Sequence, residues 1–217
     1  YPVVDETGRF VAFLSTATNL TPNVVVEGFH LYVRDLQENV TRLIDANTNG
    51  QAVAKDFLNA PRFADGARFI AFDCTDADLV PNDSNRAYDV YVRDLTTNTT
   101  ELISARDAGL TSQTPTGIGF DPQVSVSADS RYVAFATFPG TLLPNATNLF
   151  RAVFVRDLLN NSNLLVSADT NGLPGADGMC LSPAISGDGR WVAFGSMADN
   201  LVAGDTNKAQ DVFVRDL

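Results

Sequence analysis

The sequence is poor in the residues that usually do chemistry. It holds one histidine (His30), two cysteines (Cys74, Cys180), two lysines (Lys55, Lys208) and four glutamates (Glu6, Glu27, Glu38, Glu101). With a single histidine there is no His-rich metal set, and a Ser-His-Asp triad would have to use His30. Two cysteines in 217 residues do not make a disulfide scaffold, and spacing leaves open whether they pair. No uninterrupted apolar run reaches about 18 residues, so no spanning helix is expected. The start, Tyr1-Pro2-Val3-Val4-Asp5, lacks the basic-then-apolar order of a signal peptide, which a mature chain would have lost. There is no Gly-x-Ser-x-Gly nucleophile elbow. Helical periodicity is absent, so no glycine-rich phosphate loop can open a helix.

What is present is a globular composition: 45% hydrophobic and only 19% charged. The net charge of −11 comes mainly from aspartate. A field of that sign repels phosphate backbones and anionic membrane surfaces. It is consistent with plain solubility or with cation binding by loop oxygens.

The main signal is an internal repeat. Arg-Asp-Leu occurs at Arg34-Asp35-Leu36, Arg93-Asp94-Leu95, Arg156-Asp157-Leu158 and Arg215-Asp216-Leu217, at offsets of 59, 63 and 59 residues. Val11-Ala12-Phe13, Ile70-Ala71-Phe72, Val133-Ala134-Phe135 and Val192-Ala193-Phe194 recur at the same offsets. The units run over about 1–60, 61–121, 122–182 and 183–217. Each opens with proline, one residue and an apolar residue, as in Pro2-Val3-Val4, Pro61-Arg62-Phe63, Pro122-Gln123-Val124 and Pro183-Ala184-Ile185. This is a short first strand, with proline where no ladder donor is needed. Asp65-Gly66 and Asp188-Gly189 then signal a hairpin turn, because glycine accepts positive φ. Asp129-Ser130 in the third unit implies a different turn or some strain.

The second strand (Arg9–Phe13 and equivalents) and the third (His30–Arg34 and equivalents) carry apolar residues on both faces. Such strands are buried on both sides. The fourth strand reads Thr41–Ile44, Thr100–Ile103 and Asn163–Val166. Each unit is therefore a four-stranded antiparallel sheet that cannot be stable alone and must stack on its neighbours. The expected fold is all-β, a β-propeller of four-stranded blades rather than a sandwich.

The segments Pro183–Phe194 and Asp211–Leu217 resemble the PD40, or TolB-like, propeller repeat: Pro, apolar, Ser-Pro-Asp-Gly, an apolar strand, then a strand ending in Asp-Leu. The resemblance covers essentially the whole chain. It implies fold and leaves activity open, since this repeat occurs in scaffolds, periplasmic adaptors and the propeller domains of peptidases. These units are longer than the usual repeat, the excess lying between the second and third strands.

The fourth unit stops before its fourth strand. The expectation is a piece of a longer polypeptide, or an open last blade completed by a protein partner or by self-assembly. The insertions Asp83-Ser84-Asn85-Arg86-Ala87-Tyr88-Asp89 and Asp205-Thr206-Asn207-Lys208-Ala209-Gln210-Asp211 share Asp-x-Asn-x-x-x-Asp. Asp83, Asn85 and Asp89, and likewise Asp205, Asn207 and Asp211, form a candidate calcium site. An Asx turn leading into a strand is the other reading. Six Asn-x-Ser/Thr sequons, at Asn19, Asn39, Asn82, Asn98, Asn145 and Asn160, follow from a repeat rich in Asn and Thr. Four copies of Arg-Asp argue for structure over catalysis, with each arginine pairing to an aspartate of a neighbouring turn and stapling blades together. Function is expected to be that of a non-catalytic secreted, extracellular or periplasmic binding, scaffold or assembly module. The alternative is the propeller domain of a peptidase or other hydrolase whose catalytic part lies outside this chain.

Overall fold

The computed structural model describes residues 2–23, 25–53, 57, 59–75, 78–81, 83, 88–105, 124–143, 150–173 and 176–217. Sheet one contains β1 (Val3–Val4), β2 (Phe10–Ser15), β3 (His30–Asp35) and β4 (Val40–Leu43). Sheet two contains β5 (Arg62–Phe63), β6 (Phe69–Thr75), β7 (Tyr88–Asp94) and β8 (Thr99–Leu102). Sheet three contains β9 (Ser125–Val126), β10 (Tyr132–Thr137), β11 (Ala152–Asp157) and β12 (Ser162–Leu165). Sheet four contains β13 (Cys180–Ile185), β14 (Trp191–Ser196) and β15 (Asp211–Asp216). In every sheet the strands pair antiparallel in chain order. The first strands of successive sheets touch, β1 with β5, β5 with β9 and β9 with β13, so they lie along one inner line.

The hydrophobic core lies between the sheets. Ala12, Leu31 and Ile44 of sheet one cluster with Ile70, Phe72, Cys74 and Tyr91 of sheet two. Ala71, Val90 and Val92 meet Val133, Phe135 and Phe154 across the next gap, and Ala134, Ala136, Val153 and Val155 meet Val192 and Phe194 across the third. Alternate side chains of one strand thus enter two different cores, as two apolar faces require. Cross-strand aromatic stacks repeat at Phe13–Tyr32, Phe72–Tyr91, Phe135–Phe154 and Phe194–Phe213, with centroids 5.7–6.1 Å apart. On sheet four, Val212 and Val214 of β15 are 79% and 62% exposed.

Register corrects one sequence reading. Val3, Arg62, Ser125 and Ala184 stand opposite Ala12, Ala71, Ala134 and Ala193. The third unit therefore opens at Ser125–Val126, two residues after the position read from Pro122; Pro122 and Gln123 lie outside the described residues. The fourth strands begin one residue earlier than expected, at Val40, Thr99 and Ser162.

All four first hairpins close with the same hydrogen bond, although sheet two also holds Gly66 at φ 72° one residue earlier. The N–H of Gly8, Ala67, Ser130 and Gly189 donates to the carbonyl of Asp5, Ala64, Ser127 and Ser186 respectively, at 2.9–3.1 Å. Ser130 takes φ 60° where Gly8 and Gly189 take 72°, so the turn type is kept and the strain is accepted.

The Arg-Asp pairs divide their labour differently from the expected cross-blade ion pair. Each aspartate accepts from the arginine that precedes the second strand of its own sheet: Arg9 to Asp35, Arg68 to Asp94, Arg131 to Asp157 and Arg190 to Asp216, at 2.6–2.8 Å. The same carboxylates, in the first three sheets, accept backbone N–H groups of the following turn, Gln37 and Glu38, Thr96 and Thr97, Leu159 and Asn160. The Arg131 hydrogen bonds hold the Asp157 carboxyl down to about 2, against the opposing effect of burial. Arg93 and Arg215 of the tripeptides do the stapling, through carbonyls. Arg93 donates to Ala46 O of sheet one's outer loop (3.1 Å), and Arg215 donates to Val166 O (3.1 Å) and Ala168 O (2.8 Å) beside sheet three. Asn163 takes the equivalent Ala105 carbonyl at 2.9 Å.

Phe135 is fully buried between sheets two and three. Phe135→Ala is expected to lower unfolding free energy by about 3–5 kcal/mol in denaturant titration. A loss under about 1 kcal/mol would contradict this packing.

Candidate functional site

The six aspartate and asparagine positions singled out for calcium belong to two segments, one leading into β7 and one into β15. Asp83 accepts from the buried Tyr91 hydroxyl, and Asp89 accepts from Ser104 Oγ at 2.5 Å. Asn85 lies outside the described residues. In the other loop, Asn207 Nδ2 donates to Asp211 Oδ2 at 2.7 Å, and Ala209 N donates to Asn207 Oδ1 at 2.8 Å. This is an Asx turn bonded onto the first residue of β15. Among the described residues, no three His, Cys, Asp or Glu side chains converge for a metal.

The groups most capable of chemistry are sealed. Cys74 and Cys180 are buried and not joined in a disulfide; burial, ahead of a partly offsetting Ser196 hydrogen bond, pushes the Cys180 thiol up. His30, the first residue of β3, is completely buried. Its Nδ1 meets Asp45 Oδ2 at 2.6 Å and its Nε2 meets Val26 O at 3.1 Å. A carbonyl can only accept, so Nε2 carries a hydrogen, and the carboxylate favours a second one on Nδ1. Asp45 Oδ1 also takes the Leu31 N–H at 3.0 Å. The equivalent pairs are Asp89 with Ser104 in sheet two and Ala152 with Ser167 in sheet three. There Ser104 Oγ accepts the Val90 N–H (3.3 Å) and Ser167 Oγ the Val153 N–H (2.9 Å), so the position is a strand anchor.

One open set of residues lies on the inner line. A cavity of about 380 Å3 is lined by β5, β6, β9 and β13, among them Asn59, Arg62, Asp73, Ser125, Ser182 and Ala184. It exists because the inner positions opposite Ala71, Ala134 and Ala193 include small residues, Ser125 and Ala184. Arg62 stands at that position in sheet two and is exposed. It makes no hydrogen bond or ion pair to any described residue, whereas Arg9, Arg68, Arg131 and Arg190 are all ion-paired. Ser125 Oγ accepts the Ile185 N–H at 3.1 Å and keeps its own proton to donate. Ser182 sits in a register break of β13 between Leu181 and Ala184, at φ 55°. Such a bulge re-aims a side chain, and a non-glycine residue held at positive φ stores strain. Asp73 Oδ1 accepts the Asn59 N–H at 3.1 Å and fixes that rim.

Sequence reasoning passed over Arg62. The signal was available in the repeat: Val3, Arg62, Ser125 and Ala184 contain one charged residue. It was hidden by the two-residue misplacement of the third unit, which put Gln123 in that column.

No family model matches the chain, and no curated protein matches it. Solved structures do. TolB from Acinetobacter baumannii superposes with a TM-score of 0.56 at 15% identity, over 99% of this chain and 40% of that one. The β-propeller domain of the Trilobed protease from Pyrococcus furiosus gives 0.53 at 12% identity, over 99% and 53%. A structure from a study of two prolyl endopeptidases gives 0.57 at 13% identity, over 100% and 27%. The fold is that of a β-propeller. The chain spans about 40% of the TolB length, and its sheets are propeller blades whose first strands face the axis. The cavity holding Arg62 is accordingly an axial one. Among the described residues, no helix is long and apolar enough to cross a membrane.

The His30–Asp45 pair yields a pH dependence. The Asp45 hydrogen bond, against burial, raises the His30 pKa above its ordinary value of 6.5. A raised folded pKa contributes stability that is complete below about pH 6.5 and lost as pH climbs through the folded value. Urea midpoints are expected to fall across that upward window in the native chain and to change less in His30→Gln. Equal pH profiles for the two would contradict the charged pair.

Proposed function

We propose that this chain is a non-catalytic, TolB-like binding module of a secreted or periplasmic protein, with its ligand or partner engaged at the axial cavity. One observation carries the reading. The reactive side chains His30, Cys74 and Cys180 are buried, and the repeated Arg-Asp sets are consumed by turns and blade contacts, while Arg62 and Ser182 stand unengaged in one cavity wall. A surface arranged in this way recognises rather than transforms. The superposition on TolB supports the reading at the level of fold.

The experiment is turnover. The purified chain is expected to leave a broad panel of peptide, ester and glycoside substrates unchanged over hours. A defined turnover that tracks the folded protein would overturn the reading. A Gly-x-Ser-x-Gly segment in polypeptide continuing beyond Leu217 would favour the other one, the propeller of a hydrolase. The superposition on 27% of a prolyl endopeptidase chain is compatible with that alternative.

Calcium enters as an accessory ligand of the Asp205, Asn207 and Asp211 loop. Binding would replace the Asn207–Asp211 hydrogen bond with oxygen coordination. Thermal melts in calcium and in chelator are expected to differ, by about 2.7 kcal/mol at a hundredfold excess over Kd. Superimposable melts remove calcium from the reading.

A further inference from the structure

We propose that the axial cavity is a carboxylate-binding site in which Arg62 takes the ligand's carboxylate and the Ser125 and Ser182 hydroxyls flank it. The inference rests on the binding-module reading and names the chemistry of its ligand.

The first ground is the state of Arg62. The protein carries a net charge of −11, and the arginines beside the second strands each hold an aspartate. Arg62 engages no described residue. Its guanidinium has five N–H donors in a planar fork, which matches the two oxygens of a carboxylate.

The second ground is the wall around it. Ser125 belongs to the inner strand of sheet three and Ser182 to that of sheet four, so three blades converge on one cavity. The Ser125 hydroxyl is fixed by the Ile185 N–H and has its proton left to give. The Ser182 hydroxyl makes no hydrogen bond to a described residue and is carried by strained backbone in the bulge. Strain of that kind persists where the surrounding structure imposes it, and it concentrates at ligand sites.

The third ground is charge number. The cavity wall contains one guanidinium and also the Asp73 carboxylate. A dianionic phosphate would meet a single cation, that carboxylate and the acidic surface beyond. A monoanionic carboxylate is matched by one arginine and repelled less. The cavity volume of about 380 Å3 suits a small acid or the last two or three residues of a peptide.

The test is calorimetric titration of the chain at low salt with two monocarboxylate probes, butyrate and acetyl-glycylglycine, and with acetyl-glycylglycine amide. At least one acid is expected to bind, and if it is the peptide acid, the amide should bind at least tenfold more weakly. Arg62→Gln should weaken the acid at least tenfold, and Arg62→Lys should restore part of the loss. Lys208→Gln removes one positive charge from an exposed loop, and it should leave the affinity within about twofold. Circular dichroism establishes that each variant is folded. Binding of the peptide acid alone identifies a carboxyl terminus as the source; binding of butyrate alone identifies a free small acid. Absence of binding by both acids up to millimolar concentration, or an affinity unchanged in folded Arg62→Gln, overturns the carboxylate site. That failure is distinguishable from failure of the binding-module reading, which turns on turnover and not on these probes.

Discussion

The structure depends on strands that bury both of their faces. In β6, Ile70 and Phe72 enter the core shared with sheet one, while Ala71 between them enters the core shared with sheet three. In β10, Val133 and Phe135 point back to sheet two, and Ala134 points on to sheet four. The tripeptide apolar-Ala-Phe is thus a device for stacking. The phenylalanine of one blade fills the space left by the alanine of the blade before it: Phe72 with Ala12, Phe135 with Ala71, Phe194 with Ala134. A one-residue slip would drive ring against ring across one gap and leave a void across the other. No single blade can satisfy both faces, so the blades stabilise one another or not at all.

Polar groups then fix what the apolar ones bring together. Arginine and aspartate are adjacent in each Arg-Asp-Leu, so they project to opposite faces of the strand and cannot share a task. Aspartate works within its blade, joining the arginine before the second strand to the turn after the third. Arginine works between blades, where Arg93 and Arg215 reach the carbonyls of Ala46 and of Val166 and Ala168. A guanidinium can hold a turn side chain of its own hairpin and a carbonyl of the preceding blade together, as Arg93 does with Asn98, Thr100 and Ala46. An ammonium would lack that fixed fork, which suits arginine to the Arg93 position.

The repeat made the fold legible, because two landmarks moving in step set strand order and sheet number before any coordinate is known. Where the repeat lapses, legibility ends. Pro122 imitates the strand-opening proline, and only the pairing of Val133 with Val126 shows that the strand starts at Ser125. The Asp-x-Asn-x-x-x-Asp loop spells oxygen ligands, but composition cannot say whether those oxygens face a cation or their own backbone. At Asn207 the amide nitrogen and oxygen are engaged by Asp211 and Ala209. The arginine role is illegible for a related reason: a sequence shows which charges exist, and main-chain carbonyls, the acceptors of Arg93 and Arg215, are present at every residue and so invisible as a pattern.

In a repeat protein, positions that agree between copies answer to stacking, and positions that disagree are free to answer to something else. Disagreement alone is a weak guide, as His30 shows. It replaces the Asp89 and Ala152 of the other blades, yet it is buried, bonded at both ring nitrogens and reduced to anchoring a strand. Arg62 departs from Val3, Ser125 and Ala184 and differs from His30 in two respects: it is exposed, and its donors are unmet by described residues. A charged group that the fold neither buries nor pairs contributes nothing to holding blades together. The proposed carboxylate ligand would account for its place on the axis beside the strained Ser182, which the packing around it does not.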